Sequence, residues 1–232
     1  FTISHFYRTR LEIFFISCII KDMKSLSLTK PLVLMVIGIP GAGKSFFTRQ
    51  FSDTFGAPLV SYDMLRTELY AEEPYDKQQV EIVSKIANIQ VIELLKTKKT
   101  IIVDGLGDTR KERLDIRKIA SEADYDTLIV WVQTDNATAE YRSLKRSKRR
   151  KDDEFNVSLS HEQFTTLEKR FTPPSDSDKY IVISGKHTYA TQAKIVLKKL
   201  VAPRESSLTN QDNLARGAVS SDTPARRGVI IR

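Results

Sequence analysis

The sequence predicts an α/β domain built on a parallel sheet with helices on both faces. Two observations lead to this fold class. Short apolar runs alternate with longer segments of helical pattern, and the first run, residues 32–37, is continuously apolar until it ends at a glycine. A continuous apolar run is typical of a strand buried on both faces, as in parallel sheets. In such sheets ligands bind beyond the carboxyl ends of the strands.

The individual elements follow from the same patterns. Short runs of β-branched and other apolar residues predict five strands, at residues 32–37, 58–61, 100–104, 126–132 and 179–184. Longer proline-free stretches predict the helices, at residues 44–55, 76–98, 111–123, 137–151, 161–170 and 189–200. The longest helix is expected to have one apolar side, formed by Val80, Val83, Ile86, Ile89 and Leu94.

The two ends of the chain differ from the middle. Residue 1 is Phe, the first methionine is Met23, and residues 13–20 are mostly apolar. We expect residues 1–22 to be a non-native or disordered leader, with a peripheral amphipathic helix and a signal peptide as the alternatives. Residues 203–232, rich in Ser, Asn, Asp, Gly and Arg, are expected to form a disordered tail. The folded domain is therefore expected within residues 23–202.

Composition excludes several classes of protein. A single cysteine, Cys18, argues against a disulfide scaffold and against Cys-rich metal sites, and the three widely separated histidines argue against a His-based site. No apolar run reaches the roughly 18–20 residues that span a bilayer. We therefore expect a cytoplasmic protein without a membrane partner, and a monomer.

The positive charge is concentrated in one stretch. The chain has a net charge of +8, and residues 142–151 contain seven Lys and Arg residues and no acid, which accounts for almost all of the excess. A local cluster of this kind favours an acidic partner, such as phosphate, a nucleotide or nucleic acid.

The most specific motif is Gly38-Ile-Pro-Gly-Ala-Gly-Lys-Ser45, which matches G-x-x-x-x-G-K-[ST] between a predicted strand and a predicted helix. Glycines let backbone N–H groups turn towards phosphate oxygens, and the helix N-terminus favours an anion. Lys44 would contact the β- and γ-phosphates, and the Ser45 hydroxyl would bind Mg²⁺. The alternative is a glycine loop that only turns the chain. The predicted ATP-binding residues are Gly38, Pro40, Gly41, Ala42, Gly43, Lys44, Ser45 and Phe46.

An acidic residue ends the third predicted strand. Asp104 follows three β-branched residues, which is the pattern of a Walker B carboxylate. If its strand lies beside the first one, Asp104 would be close to Ser45 and would be the second magnesium ligand. The alternative is an aspartate that caps a turn or helix.

A second acid follows the second predicted strand. Asp63 and Arg66 are three residues apart, so both would project from one side of a helical turn. Asp63 could accept the proton of a substrate hydroxyl, and Arg66 could bind an anionic group of the substrate. The alternative is an N-cap aspartate followed by an unrelated surface arginine.

The basic stretch begins with two arginines spaced for one helical face. Arg142 and Arg146 lie on the predicted helix at 137–151 and could neutralise charge on a transferring phosphoryl group. We predict a basic lid at about residues 137–158. A solvated basic helix and a nonspecific nucleic-acid patch are the alternatives.

Together these motifs resemble the P-loop kinases of the polynucleotide-kinase and zeta-toxin type, over about residues 32–200. The resemblance implies a five-stranded parallel sheet in the order 2-3-1-4-5. It implies Asp63 as the general base, Arg66 as a substrate contact, and Arg142 and Arg146 as lid arginines. The chain departs from the family at the third strand, where Asp104-Gly-Leu-Gly-Asp108 lacks the Asn of an Asp-x-Thr-Asn-like stretch.

We therefore expect an ATP- and Mg²⁺-dependent kinase. Its acceptor would be anionic or hydroxyl-bearing, nucleotide-like or small, and nucleic acid could bind through residues 142–151. One alternative is an NTPase module that hydrolyses ATP without a phosphoryl acceptor. Another is a nucleic-acid-binding protein with an ancillary P-loop.

Overall fold

A computed structural model describes residues 30–70, 77–146, 155 and 157–201. The predicted leader, the predicted tail and residues 147–151 of the basic stretch lie outside the described residues. Among the described residues, no helix is both long and apolar enough to cross a membrane.

Five parallel strands form one sheet in the order β2-β3-β1-β4-β5. The strands are β1 (Leu32–Ile37), β2 (Leu59–Ser61), β3 (Ile101–Asp104), β4 (Asp126–Gln133) and β5 (Tyr180–Ser184). Every residue of the central strand β1 is buried, as its continuous apolar run predicts. The predicted fold class and strand order are confirmed.

Helices cover both faces of the sheet. They are α1 (Lys44–Phe55), α2 (Tyr62–Leu69), α3 (Lys77–Leu95), α4 (Arg110–Glu122), α5 (Asn136–Leu144), α6 (His161–Arg170) and α7 (Tyr189–Val201). One core contains Phe47 and Phe51 of α1 with Val196 of α7. The other contains buried residues of α2, α3 and α4. Alternate residues of β1 contribute to the two cores, because side chains of a strand point to opposite faces.

The strand register determines where the functional segments meet. Asp104, the last residue of β3, is in register with Val36 of β1 on one side and Ser61 of β2 on the other. The loop after β1 carries the glycine motif, and Asp63 follows Ser61. Because parallel strands end at the same edge, the three segments converge beyond the carboxyl ends of β1, β2 and β3.

Two helix predictions need correction at α2 and α5. Helix α2 was expected only as a turn, but the Ser61 side chain caps it by accepting the Met64 N–H at 3.5 Å. Helix α5 ends at Leu144, with Lys145 as its C-cap, and residues 147–151 of the predicted helix lie outside the described residues. The Ser143 carbonyl accepts the Leu159 N–H at 3.1 Å. The segment at Leu159 therefore occupies a carbonyl in the last turn of α5. Arg146 lies beyond the end of the helix.

The predicted apolar side of the longest helix was right only in part: Val83 is buried, and Ile86 and Leu94 pack partly buried against the same core. The buried residues of α3 are Val83, Ala87, Val91 and Leu95, whereas Ile89 is 59% exposed. Residues 80, 83, 86 and 89 are spaced by three, and each step of three falls short of a full helical turn. Such a row winds around the helix, whereas the small residue Ala87 completes the face that packs on the sheet.

Candidate active site

The glycine motif forms a tight loop between β1 and α1. Gly41 has a φ of 74°, and a Cβ there would lie 2.0 Å from the Ala139 carbonyl oxygen of α5. Only glycine fits this position without moving the backbone. Gly185, after β5, is equally confined, because its Cβ would lie 1.8 Å from the Ala42 carbonyl oxygen. The loop is therefore held between α5 and the end of β5.

The N-terminus of α1 opens on this loop. Gly43 is the N-cap residue and has no side chain to bond the first N–H groups of the helix. These donors and the positive end of the helix dipole suit a phosphate. The Lys44 ammonium lies across the loop, where it donates to the carbonyls of Gly38 and Ile39. The loop and helix thus have the geometry of a phosphate-binding site.

Asp104 lies behind the loop and is 3% exposed. Its Oδ2 accepts a hydrogen bond from the Thr48 hydroxyl at 3.3 Å, and the Ser45 hydroxyl also bonds the carboxylate. Its Oδ1 is buried and has no hydrogen-bond partner among the described residues. Burial raises the pKa of Asp104 to about 6, and the nearby Lys44 opposes that rise.

The pair Ser45 and Asp104 fits a magnesium ion. A hydroxyl and a carboxylate with an unpartnered oxygen are the hard ligands that Mg²⁺ prefers. The described residues contain no group of three or more His, Cys, Asp or Glu side chains suited to a metal. A magnesium ion here would therefore take most of its ligands from phosphate and water, as Mg²⁺ commonly does.

Asp63 lies in the first turn of α2, close to the metal-binding pair. It lines one small cavity with Ser45 and Asp104, and it also lines the main cleft. The N-cap of α2 is Ser61, so Asp63 does not have the capping role that was its alternative. Arg66 is half-buried and is not among the described residues that line the cleft. The structure therefore brings Asp63, but not Arg66, to the loop.

The predicted lid arginines both line the cleft. Arg142 donates to the Gly185 carbonyl at 3.1 Å, and Arg146 donates to the Val157 carbonyl at 3.2 Å. Lys145 lines the same wall. Although Arg146 lies beyond α5, it lines the same cleft as Lys44. Positive charge is thus concentrated beside the phosphate loop.

The cleft has a volume of about 750 Å³. All eight predicted ATP-binding residues line it, together with Asp63, Arg142 and Arg146. Its other wall combines apolar with charged side chains: Tyr62, Val80, Leu106, Asp108, Glu112, Leu167, Arg170 and Phe171.

Asp108, Glu112 and Arg170 were not among the predicted site residues. Asp108 accepts the Gly38 N–H at 3.5 Å, and burial raises its pKa, against the effect of Lys44. Glu112 accepts the N–H groups of Gly107 and Thr109 and also pairs with Arg170. A second acid four residues after Asp104 is a signal that could have indicated Asp108. Glu112 and Arg170 are 58 residues apart, so no local sequence pattern could have indicated that they pair.

Comparison with known proteins identifies the family. A family model described as an AAA domain matches residues 33–174, which is more than half of the chain. The chain belongs to this AAA-domain family. A relative of this AAA-domain chain is the L-seryl-tRNA(Sec) kinase of Methanococcus maripaludis, 26% identical over 120 residues. That match covers 51% of the chain and 47% of the relative, so the chain spans about half the length of this curated relative.

Solved structures share the fold of the AAA-domain chain. Kti12 of Chaetomium thermophilum in complex with ADP-AlF3 has a TM-score of 0.54 at 17% identity, over 73% of this chain and 97% of that one. The APS kinase of Mycobacterium tuberculosis, in complex with AMPPNP and APS, has a TM-score of 0.52 at 15% identity, over 75% and 99%. The predicted resemblance to P-loop kinases is confirmed.

Proposed function

We propose that the protein is an ATP-dependent kinase, which transfers the γ-phosphoryl group of Mg-ATP to a hydroxyl of a nucleotide-like or small-molecule acceptor. One observation carries the proposal: Asp63 shares a cavity with Ser45 and Asp104 while it also lines the main cleft. An acceptor hydroxyl bonded to Asp63 would lie on the side where the γ-phosphate and its metal are expected. The kinase relative supports the same reaction class.

The proposed step balances without any further reactant. Asp63 takes the proton of the acceptor hydroxyl as the acceptor oxygen forms a bond to the γ-phosphorus. The bond from that phosphorus to the bridging oxygen of ADP breaks, and ADP leaves with the electron pair. Lys44 contacts the phosphates, while Arg142 and Arg146 neutralise charge on the transferring group. Magnesium bound at Ser45 and Asp104 would neutralise charge on the phosphate oxygens.

The cleft wall on the Asp63 side suggests which acceptors to try. Tyr62, Val80 and Leu106 offer an aromatic and two aliphatic surfaces beside the polar groups. An acceptor with a flat or apolar part next to its hydroxyl would bury that part here. The relative named for seryl-tRNA makes that aminoacylated tRNA one candidate. A nucleoside and a 5′-hydroxyl oligonucleotide test the resemblance to polynucleotide kinases.

The test is transfer of labelled phosphate from γ-labelled Mg-ATP. The panel contains seryl-tRNA, a 5′-hydroxyl oligonucleotide, a nucleoside and a sugar, with water alone as the control. We expect labelled product with at least one acceptor and slow release of phosphate to water. Release to water alone would contradict the kinase proposal and favour the NTPase alternative. Nucleic-acid binding without turnover would favour a nucleic-acid-binding protein with an ancillary P-loop.

A further inference from the structure

Arg113 of α4 is an unusual buried residue. It is the largest of the fully buried side chains and is 1% exposed. Its guanidinium donates to the carbonyls of Gly107 at 3.0 Å, Thr172 at 2.9 Å and Pro173 at 3.3 Å. Burial lowers the pKa of Arg113, because carbonyl dipoles only partly replace water, and the nearby charges of Asp178 and Asp108 oppose that shift. An apolar residue of the same volume would leave these carbonyls without their donor, so the guanidinium does more than fill space.

The three carbonyls belong to two segments that border the cleft. Gly107 lies in the loop between β3 and α4, which carries Asp108. Thr172 and Pro173 directly follow Phe171, which also lines the cleft. The Thr172 N–H also donates to the Asp108 carbonyl at 2.9 Å. Arg113 therefore ties the loop after β3 to the segment after α6.

The tied loop holds Asp108 against the phosphate loop. The Asp108 carboxylate accepts the Gly38 N–H and lies near enough to Lys44 for the two charges to interact. Gly107, with a φ of 118°, packs on Arg113 so closely that a Cβ there would lie 3.3 Å from the Arg113 Cγ. A shift of this loop would move Asp108 relative to both Gly38 and Lys44.

We propose that Arg113 is a positioning residue, which keeps Asp108 in place beside Lys44 and the first residue of the phosphate loop. This inference depends on the proposed function in one respect: the cleft must turn over ATP. Arg113 itself does not line the cleft among the described residues, so it acts through the loop. If Arg113 only stabilised the fold, removing another side chain that ties this segment equally strongly should lower kcat by the same factor.

The chain provides a matched control one turn further along α4. Arg117 donates to the Asp178 carboxylate at 2.7 Å and so ties the same helix to the same connection before β5. It has no hydrogen bond to the loop that carries Asp108 among the contacts described. Arg117→Met therefore removes a tie from the same helix to the same connection without releasing the loop.

The experiment is a double-mutant cycle on the full-length chain. The variants are Arg113→Lys, Arg113→Met, Asp108→Asn, Arg117→Met and the combinations of Asp108→Asn with each Met variant. For each one, kcat and KM for Mg-ATP are measured together with the melting temperature. We expect Arg113→Met to lower kcat about 100-fold, the order of loss when a displacement of about 1 Å disturbs the geometry around a reaction centre. Arg113→Lys should lose less kcat than Arg113→Met. Arg117→Met should keep kcat within about threefold of the wild-type value.

The cycle separates positioning from stability. If Arg113 acts through Asp108, adding Arg113→Met to Asp108→Asn should lower kcat little further, whereas Arg117→Met should combine additively. Full additivity of Arg113→Met with Asp108→Asn would overturn the proposal, as would equal losses of kcat in Arg113→Met and Arg117→Met. If Arg113→Met does not fold, the same comparison is made with Arg113→Lys.

The proposed function can fail separately. If the wild type transfers phosphate only to water, the kinase proposal falls, and the same cycle is measured on ATP hydrolysis. If the wild type has no turnover with any acceptor or with water, both proposals fall.

Discussion

At the scale of single residues, Asp63 shows how a structural role can be separated from a chemical one. The sequence left open whether this acid caps a helix, because Asp is a common N-cap residue. Ser61 caps α2 instead, and Asp63 projects into the cleft. The residues of the phosphate loop could be predicted because they are contiguous. Glu112 and Arg170 could not, because only the folded chain brings them together.

Lys44 provides the first prediction at this scale. Lys44→Ala removes the ammonium that would contact the phosphates, so we expect Mg-ATP affinity to fall at least tenfold in calorimetry of the folded variant. Lys118→Ala, an exposed lysine on α4, is the control and should bind as the wild type does. Equal affinity in Lys44→Ala and the wild type would remove the phosphate-loop assignment.

At the scale of elements, periodicity predicted where helices lie better than where they end or which side they bury. No glycine or proline between Leu144 and residue 151 predicts an end to α5, but the Ser143 carbonyl accepts the Leu159 N–H and the helix ends at Leu144. In α3, the burial of Ala87 was missed because a small residue contributes little to an apolar pattern. Both errors arise where contacts distant in sequence override a local signal.

Two glycines with left-handed backbones test the phosphate loop. Gly41 has a φ of 74° and no room for a Cβ, whereas Gly56, at the end of α1, has a φ of 61° and nothing within 4 Å of its Cβ position. Gly56→Ala should lower the free energy of unfolding by about 1 kcal/mol and leave Mg-ATP affinity unchanged. Gly41→Ala should also lower Mg-ATP affinity more than tenfold. Equal Mg-ATP affinities in Gly41→Ala and Gly56→Ala would show that the phosphate loop still binds ATP when it is displaced from α5.

The basic segment is expected to have two separable functions. Arg142→Ala and Arg146→Ala should lower kcat about 10²–10³-fold if these arginines stabilise the transition state. Neutralising Lys148, Arg149, Arg150 and Lys151, which lie outside the described residues, should mainly weaken binding of an anionic acceptor and its dependence on salt. Steady-state kinetics at several salt concentrations distinguishes the effects. If both sets change only acceptor affinity, the segment is a binding patch and not a lid.

At the scale of the whole molecule, the order of the strands assembles the site. With β3 between β2 and β1, Asp104 lies between the strand that leads to Asp63 and the strand that leads to the phosphate loop. This arrangement could be predicted, because the glycine motif and the resemblance together imply the strand order. The ties of Arg113 to the segment after α6 could not, because they join residues about 60 positions apart.

The extent of the domain is the prediction at this scale. Among the described residues, both core clusters are formed between Leu32 and Leu200. A chain shortened to residues 23–202 should therefore keep its melting temperature within a few degrees and unfold in one cooperative transition. Thermal unfolding followed by circular dichroism measures both quantities. A broad transition or a large drop in melting temperature would show that a removed segment packs on the core.

The most direct measurement is the partition of the γ-phosphate between an acceptor and water in Asp63→Asn. The amide has nearly the same shape as the carboxylate but cannot take a proton, so ATP should bind normally while transfer falls about 10²–10⁴-fold. Hydrolysis by water should change less, because Lys44, Ser45 and Asp104 remain. Glu68→Gln, an exposed acid on the same helix, should behave as the wild type. Wild-type transfer by Asp63→Asn to a verified acceptor would contradict the account.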